Sequence, residues 1–316
     1  MDNNTINICF AASNRFAPHA ATMITSIMAN KLPEDELSFH FFPDKVTPSV
    51  LDTFRRMSRE MGFQLTIYEK SDEQFADFPS WKGSRTTYFR LSMPRMLPNS
   101  LNKVLYLDSD TIVMSSLKDL YSTDIVECYA AVVIQTLRVP HMPVEHAHFN
   151  AGMILYNLEK YRNENLEAEA IQCAYKYLDR LHECDQAILN YIFKGNVVYL
   201  PVKWNFRYSK GQRKFLVRHG IDIPFSEEEL REAENTLGII HYGDERKLYS
   251  FCLRTLNLTM APYWKYARTT PFYKQILREY FLHYYGISMI RSAIKMPERI
   301  IRRWIIKPLR KLLKAV

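Results

Sequence analysis

The alternation of short apolar runs with stretches of helical periodicity in the first hundred residues constrains the fold more than any other feature of this chain. Runs of strand length at 6–12, 37–42 and 63–68 are separated by stretches of helical period at 18–29 and 49–61. Strands that alternate with helices in this way predict parallel βαβ units. We therefore expect an α/β fold, with a central sheet and helices on both faces.

The following residues continue this pattern. A helical stretch at 86–96 leads to a strand at 102–107, which runs directly into Asp108-Ser109-Asp110. Further short apolar runs predict strands at 129–134, 151–156, 197–200 and 237–241.

The net charge of +8 is confined to the C-terminal part of the chain. Residues 281–316 hold nine Lys or Arg side chains and a single acid, so the remaining 280 residues are neutral overall. Nucleic-acid-binding proteins usually carry their positive charge on the folded body, so this distribution argues against a nucleic-acid partner. The sequence shows no internal repeat or low-complexity linker before about residue 265. We predict one domain at 1–265, followed by a separate segment at 266–316.

Composition argues against several other classes of protein. The five cysteines are scattered and never spaced as C-x-x-C, which predicts reduced thiols in the cytoplasm rather than disulfides or a cysteine zinc site. The polar start predicts no signal peptide, and no apolar run approaches the roughly 18 residues of a membrane-spanning helix. None of the nine glycines is spaced as a G-x-G-x-x-G or Walker loop, so a bound nucleotide would need another phosphate anchor.

Asp108 and Asp110 stand where the predicted strand 102–107 ends. Both carboxylates can reach the carboxyl edge of the sheet, where open α/β folds bind their ligands. Two neighbouring carboxylates repel each other unless a cation lies between them, and hard divalent cations prefer oxygen ligands. The pair is therefore a candidate metal site, although on this tripeptide alone an ordinary turn after a strand is the better interpretation.

A second candidate follows the predicted strand 237–241. His241 can supply a nitrogen ligand to a metal, and Lys247 can meet phosphate oxygens. The alternative is a histidine that is simply hydrogen-bonded. Other histidines lack the i, i+4 spacing of a zinc motif, and we expect surface or loop positions for His141, His146, His148 and His182.

Taken together, these segments resemble glycosyltransferase family 8, whose members are retaining, metal-dependent enzymes of the GT-A fold. The resemblance runs from about residue 6 to residue 247. Its motifs stand in the family's order along the chain: NICFAASNRF (7–16), FADFP (75–79, within an aromatic-rich loop or lid at 75–84), TTYFRL (86–91), KVLYLDSDTIV (103–113), FNAGMILYNLEKYR (149–162), CDQAILNYIF (184–193), KWNF (203–206) and HYGDERK (241–247).

The resemblance implies an α/β GT-A fold, a mixed sheet flanked by helices, to which this chain adds a C-terminal helical basic tail. It implies that Asp108, Asp110 and His241 hold Mn²⁺ (or Mg²⁺) against the diphosphate of a sugar nucleotide. Lys247 would add positive charge at the leaving group. The donor-binding positions that it implies are Ala11, Ser13, Phe16, Arg90, Asp108, Ser109, Asn150, Gly152, Asp185 and Lys247. The catalytic positions that it implies are Asp185 and Gln186.

Gln186 matches the position near the anomeric carbon. Retention by double displacement needs a carboxylate nucleophile, and an amide is a poor one. We therefore expect retention by a front-face route, in which the leaving phosphate helps to deprotonate the acceptor.

The chain departs from the family pattern at two places. Ser13 and Phe16 stand where the family commonly has an acid that reads uracil and a tyrosine that stacks on it. In the last motif, Asp244 stands where the family usually has glycine, with Gly243 one residue earlier. Subfamily drift explains both, and a changed donor nucleotide is the alternative.

The C-terminal tail has an amphipathic pattern. On a helical wheel over 299–314, Trp304 and aliphatic side chains gather on one side and basic side chains on the other. Such a helix fits an anionic membrane surface, and we predict membrane binding through 291–314. A helix packed on the body with solvated charges is the alternative.

The family resemblance implies a hexosyltransferase, and the basic tail predicts that it works at the cytoplasmic face of the cell membrane. It would move galactose or glucose from a UDP-sugar to a hydroxyl of a surface glycan or glycolipid, such as lipopolysaccharide core. The alternatives are a glycogenin-like transferase with a soluble acceptor and a non-catalytic sugar-nucleotide binding protein. We predict no nucleic-acid partner.

Overall fold

The computed structural model describes residues 5–68, 78, 86–137, 147–176, 184–208, 213, 216–218, 222–243 and 260–280. Within these residues the chain forms a seven-stranded sheet with helices on both faces and a separate two-stranded ribbon. The strands are β1 (Thr5–Ser13), β2 (Glu36–Asp44), β3 (Gln64–Ile67), β4 (Lys103–Leu107), β5 (Thr111–Val113), β6 (Ala130–Thr136), β7 (His148–Asn157), β8 (Val197–Tyr199) and β9 (Ile239–His241).

The described helices follow the predicted stretches. They are α1 (Ala17–Asn30), α2 (Pro48–Met61), α3 (Phe89–Met96), α4 (Lys118–Tyr121), α5 (Leu158–Asn163), α6 (Leu166–Lys176), α7 (Cys184–Phe193), α8 (Glu227–Asn235), α9 (Met260–Ala267) and α10 (Tyr273–Tyr280). Short 3₁₀ turns precede α3 at Thr86–Tyr88 and follow β8 at Val202–Asn205. Local chemistry explains several ends: proline stands in the first turn of α1 and of α2, and Gly62, at φ +74°, ends α2 in the left-handed conformation.

The seven-stranded sheet is mixed, with the strand order β3-β2-β1-β4-β7-β6-β8. Strands β3, β2, β1 and β4 are parallel, as the βαβ pattern predicts. Strand β7 runs antiparallel to both of its neighbours, β4 and β6. The mixed α/β sheet that the family resemblance implies is therefore confirmed.

Both faces of the sheet are buried, and β1 shows how the sequence produces this. Ile8 and Phe10 point into one core, with α1 and α2, while Cys9 and Ala11 point into the other, with α3 and α7. Successive side chains of a strand point to opposite faces, so a strand covered on both sides reads as a continuous apolar run. Apolar side chains of the helices and strands therefore form one core on each face of the sheet.

The ribbon of β5 and β9 lies beside the carboxyl end of β4. The two strands are antiparallel, and Thr111 is paired with His241. Since Asp110 immediately precedes Thr111, this register brings the last residue of β9 to the Asp108–Asp110 turn. The ribbon therefore assembles the metal candidates that the sequence places more than a hundred residues apart.

Helices α9 and α10 pack on α1. Tyr263, Phe272 and Ile276 are buried in the same core as α1, and the hydroxyl of Tyr263 lies 2.7 Å from Nδ1 of His19. The predicted domain boundary at 265 falls inside α9, and the division into two domains stays a prediction. The basic tail at 281–316 lies outside the described residues.

The structure also bears on the predicted position of His148 and on the predicted loop at 75–84. His148 is fully buried in β7, so its predicted surface or loop position is wrong, because β7 is covered on both faces along its length. The predicted loop at 75–84 lies outside the described residues except for Phe78, which is buried edge-on against Tyr88. None of the described helices has the length and apolarity that a membrane crossing requires.

Candidate functional site

The turn between β4 and β5 holds Asp108 and Asp110 in place. The Asp108 backbone N–H donates to the carbonyl of Gly152 on β7 (2.8 Å), and Thr111 closes the turn by donating its N–H and its hydroxyl to the Asp108 carbonyl. The Tyr242 N–H, just after β9, donates to the carbonyl of Asp110 (3.1 Å). Backbone hydrogen bonds to β7, to β5 and to the residue after β9 therefore fix the positions of both aspartates.

Asp108, Asp110 and His241 converge as the sequence predicts. One ligand atom from each lies within 4.8 Å of the others. Nε2 of His241 lies 3.2 Å from Oδ1 of Asp110 and 3.7 Å from Oδ2 of Asp108. His241 is buried, and the two carboxylates are half-buried.

This donor set fits a divalent cation such as Mn²⁺ or Mg²⁺. Two carboxylate oxygens and an imidazole nitrogen suit a hard or borderline metal, and a cation would relieve the repulsion between the carboxylates. Burial by itself would raise the pKa of Asp110, but His241 and Arg207 outweigh it and the net direction is down. Asp110 is thus kept in the ionised form that a metal needs.

Gly152 leaves the room that this cluster needs. A Cβ on Gly152 would stand 2.2 Å from Cε1 of His241 and 2.8 Å from Oδ2 of Asp108. Contacts this short are sterically forbidden, so the close approach of β7 to the two ligands requires glycine. Gly152 is predicted as a donor-binding position. In this structure its missing side chain leaves space for the side chains of Asp108 and His241.

Arg90 is a buried cation between two carboxylates. Its Nη2 donates to Oδ1 of Asp108 (2.9 Å), and its Nε lies 2.8 Å from Oδ2 of Asp185. Burial would lower the pKa of Arg90, but Asp108 and Asp185 outweigh it and raise the pKa. Tyr106 also donates to Oδ1 of Asp108 (2.6 Å), so Oδ2 is the oxygen of Asp108 left to face His241.

Asp185 lies at the start of α7 and is almost fully buried. Burial raises its pKa to about 6, although the Arg90 guanidinium pulls the pKa down. A buried carboxylate beside a buried arginine is a strong hydrogen-bond acceptor for a neutral polar ligand.

Asn150 and Gln186 are joined in one hydrogen-bonded network. Nδ2 of Asn150 donates to Oε1 of Gln186 (2.9 Å) and to Oε1 of Gln135 (2.8 Å). Oε1 of Gln186 also accepts from the Ala151 N–H (3.0 Å). The structure thus brings Asn150, Asp185 and Gln186 together with the metal candidates, and their roles toward a sugar stay predictions.

The remaining predicted donor positions are placed by β1. The Ser109 hydroxyl donates to the carbonyl of Ala11 (2.8 Å), which ties the Asp108–Asp110 turn to the carboxyl end of β1. Ser13 is the last residue of β1, and Phe16, at the start of α1, donates its N–H to the Ser13 carbonyl (2.9 Å). Their contacts with a nucleotide stay predictions. Lys247 lies outside the described residues.

Sequence reasoning assigned no role to four polar residues that the structure places in this network. Asn205 contacts His241, Tyr106 contacts Asp108, and Arg207 donates to Oε1 of Gln135 (2.7 Å). Tyr106 and Asn205 stand inside the quoted motifs KVLYLDSDTIV and KWNF, so the motifs contained the signal. Gln135 and Arg207 carry no local pattern, and the contacts among distant strands alone reveal them.

Comparisons with known proteins agree on one family. The family model described as "Glycosyl transferase family 8" matches residues 7–248. The lipopolysaccharide 1,3-galactosyltransferase of Salmonella typhimurium is 24% identical over 66% of this chain and 65% of its own length. Glycosyltransferase GlyE of Streptococcus pneumoniae is 26% identical over 89% of this chain and 65% of its own. This chain thus spans slightly less than two thirds of the length of these relatives.

A solved structure shares the fold over most of the chain. The crystal structure of galactosyltransferase LgtC, in complex with donor and acceptor sugar analogues, has a TM-score of 0.70 and 25% identity. The match covers 84% of this chain and 96% of that one.

Proposed function

This chain belongs to glycosyl transferase family 8, and we propose that it is a metal-dependent, retaining hexosyltransferase that uses a sugar nucleotide as donor. The observation that carries the proposal is the convergence of Asp108, Asp110 and His241 within 4.8 Å at the carboxyl end of β4. Open α/β sheets bind their ligands at this edge.

Each ligand has a defined part in the proposed metal site. Oδ2 of Asp108, Oδ1 of Asp110 and Nε2 of His241 would hold Mn²⁺ or Mg²⁺. The cation, when bound, would act as a Lewis acid that neutralises the departing nucleoside diphosphate. Lys247 follows His241 by six residues and would supply a second positive charge to the same phosphates.

The sugar would be held by the polar residues beside the metal site. Arg90 and Asp185 form a buried ion pair 2.8 Å apart, and Asn150 lies in the neighbouring amide network. Hydroxyl groups of a hexose can donate to the Asp185 carboxylate and exchange hydrogen bonds with Asn150. A buried site of this kind discriminates against the wrong epimer, because that epimer leaves polar groups unpaired.

Gln186 would stabilise the reacting sugar without attacking it. Its Oε1 already accepts hydrogen bonds from Nδ2 of Asn150 (2.9 Å) and from the Ala151 N–H (3.0 Å). An amide oxygen that is engaged twice is a poor nucleophile, which supports a front-face route over double displacement. In that route the new glycosidic bond forms on the face from which the diphosphate leaves, and the diphosphate accepts the acceptor proton.

The relatives support a hexose donor and a surface-glycan acceptor. A 1,3-galactosyltransferase and a 1,2-glucosyltransferase of lipopolysaccharide are both similar to this chain. We therefore propose galactose or glucose from a UDP-sugar, transferred to a hydroxyl of lipopolysaccharide core or a related glycolipid. A glycogenin-like transferase with a soluble acceptor is the alternative within the family, and a non-catalytic sugar-nucleotide binding protein is the alternative outside catalysis.

We also propose that the enzyme works at the cytoplasmic face of the membrane that carries its acceptor. The support is the segregation of the net charge of +8 in residues 281–316, with the amphipathic basic pattern at 291–314. Basic residues beside an anionic membrane contribute about 1 kcal/mol each. The body, which is neutral overall, would not bind such a surface by its net charge.

A donor panel tests the proposed function. The protein with Mn²⁺ is incubated with UDP-galactose, UDP-glucose, UDP-N-acetylglucosamine and the corresponding GDP and ADP sugars, and slow hydrolysis of each is scored. We expect hydrolysis of UDP-galactose or UDP-glucose. If every donor binds and none is hydrolysed, the non-catalytic alternative is correct. Turnover of a GDP or ADP sugar alone would show that Ser13 marks a changed nucleotide.

A further inference from the structure

Asn205 is a fully buried polar residue that contacts a metal candidate and the amide network at once. Its side-chain oxygen lies 2.9 Å from Nδ1 of His241, and its Nδ2 donates to Oδ1 of Asn150 (2.9 Å). The residue is 1% exposed. Its two contacts lie on two different strands, β9 and β7.

Backbone hydrogen bonds between the turn that carries Asn205 and strand β9 place Asn205 against His241. The N–H of Phe206 donates to the carbonyl of Ile239 (2.8 Å), and the N–H of His241 donates back to Phe206 (3.0 Å). Before β9, a Cβ on Gly238 would stand 2.4 Å from the Trp204 ring, so only glycine lets the two segments approach this closely. The turn that carries Asn205 is therefore tied to β9 on both sides of the residue.

The orientation of the Asn205 amide follows from a backbone donor. The N–H of Gly152 donates to the Asn150 side chain (3.0 Å), so the atom that it meets is the oxygen, Oδ1. The Asn205 atom 2.9 Å from that same oxygen must donate, and so is the amide nitrogen. The oxygen of Asn205 therefore faces His241.

This orientation decides which nitrogen of His241 carries the proton. An amide oxygen can only accept, so Nδ1 of His241 donates to Asn205. In a neutral imidazole the other nitrogen is then unprotonated, so Nε2, which lies 3.2 Å from Oδ1 of Asp110, is the nitrogen that can bind a cation. The three candidate ligand atoms, which lie within 4.8 Å of one another, can then all offer electron pairs to a cation.

We propose that Asn205 is the positioning residue of the metal site, which fixes the ring orientation and the tautomer of His241 so that Nε2 is the ligand. The proposal rests on the metal site of the proposed function. Histidine ligands in metal sites almost always donate their second N–H to such a partner, and loss of the partner typically lowers metal affinity 10- to 100-fold. Through Asn150, the same residue also ties the metal ligand to Gln186.

The first test measures Mn²⁺ affinity from the electron paramagnetic resonance signal of free Mn²⁺, with and without UDP. We expect Asn205→Ala to bind Mn²⁺ about 10- to 100-fold more weakly than the wild type. Asn205→Asp keeps an oxygen for Nδ1 but loses the hydrogen bond to Oδ1 of Asn150, so it should retain more Mn²⁺ affinity than Asn205→Ala. Asn157→Ala is the matched control, because Asn157 is also buried and hydrogen-bonded but lies at the far end of β7. It should lose stability and keep its Mn²⁺ affinity.

The second test uses protein saturated with Mg²⁺, a diamagnetic cation that fills the proposed site without broadening the spectra. Long-range proton–nitrogen spectra of ¹⁵N-histidine-labelled protein, recorded well above the usual histidine pKa, report which ring nitrogen is protonated. In the wild type we expect His241 to carry its proton on Nδ1, and in Asn205→Ala a shift of that proton toward Nε2. The His241 signal is assigned by its loss in His241→Gln.

The outcomes separate the two proposals. Equal Mn²⁺ binding by the wild type and Asn205→Ala would overturn the role of Asn205 and leave the metal site standing. Equal weakening in Asn205→Ala and Asn205→Asp would also overturn it, since the acceptor oxygen would then not matter. If the wild type binds no Mn²⁺ with or without UDP, the metal site itself fails, and protonation on Nε2 in the wild type would refute the inferred tautomer.

Discussion

Gly152 has no side chain, and two of the metal candidates occupy the space in which one would stand. For Gly152→Ala we expect a loss of Mn²⁺-dependent donor hydrolysis of at least 10-fold, because the new Cβ would lie 2.2 Å from the His241 ring and displace it. Steady-state rates as a function of Mn²⁺ concentration measure the effect.

Gly62→Ala is the control for this substitution. Gly62 also has a special requirement, φ +74°, but a Cβ there meets nothing within 4 Å. It should cost about 1 kcal/mol of stability and leave hydrolysis unchanged. Wild-type Mn²⁺ dependence in Gly152→Ala would show that His241 is not held against β7.

His40 makes the stability of the fold depend on pH. Burial lowers its pKa from 6.5 to about 4, and its Nε2 donates to Asn7 while Nδ1 accepts from the hydroxyl of Tyr68. Between these two pH values the unfolded chain takes up a proton that the folded chain refuses, so stability is lost as the pH falls from 6.5 to about 4. The full loss is about 3 kcal/mol, at about 1.4 kcal/mol per pKa unit.

Urea unfolding of the wild type and His40→Gln over this range measures the contribution. The variant should be less stable at neutral pH but should lose less stability on acidification. His19, whose pKa burial also lowers to about 4, contributes with the same sign in both proteins and so cancels in the difference. Parallel curves for the two proteins would contradict the assignment to His40.

At the scale of single residues, the sequence predicts a role where a local motif indicates the chemistry. Asp108 and Asp110 end an apolar strand, and His241 ends another, so their place at the sheet edge follows from patterning. Asn205 could not be assigned a role in this way. Its position against His241 depends on how the turn at Val202–Asn205 aligns with β9, and the periodicity of a sequence does not reveal such an alignment.

At the scale of elements, the hydrophobic pattern predicted the strands of the main sheet but not their order. The parallel strands β1 to β4 follow from strand–helix alternation, because such units form parallel sheets. The insertion of β7 between β4 and β6, antiparallel to both, depends on contacts between distant parts of the chain. The strand β5 is not predicted as a separate element, because only residues 108–110 separate it from the end of β4.

Helix α9 belongs to the body in the described structure, and its removal from the core should be costly. Tyr263 is 1% exposed and packs against α1, so Tyr263→Ala should destabilise the fold by about 3 kcal/mol or more. Tyr273, at the start of α10, is half-buried, and Tyr273→Ala should cost less than half as much. Chemical denaturation compares the two. Similar small losses would mean that 260–280 contributes little to the body and would favour a boundary near 265.

At the scale of the whole molecule, the charge distribution separates a neutral body from a basic tail. The full chain and a chain ending at residue 285, which keeps α9 and α10, are sedimented with anionic and with neutral vesicles. We expect the full chain alone to sediment with anionic vesicles, and added salt to release it, because the attraction of basic residues to an anionic surface is screened. Equal sedimentation of both chains would remove the membrane proposal.

The proposed activity depends on a metal that Asp108, Asp110 and His241 hold and that turnover requires. The most direct measurement is the rate of donor hydrolysis with Mn²⁺ for the wild type, Asp110→Ala and Gln186→Ala, using the donor that the panel identifies. We expect no turnover for Asp110→Ala and a reduced but measurable rate for Gln186→Ala, since Gln186 is not the nucleophile. Wild-type rates in Asp110→Ala, or an equal and complete loss in both variants, would contradict this expectation.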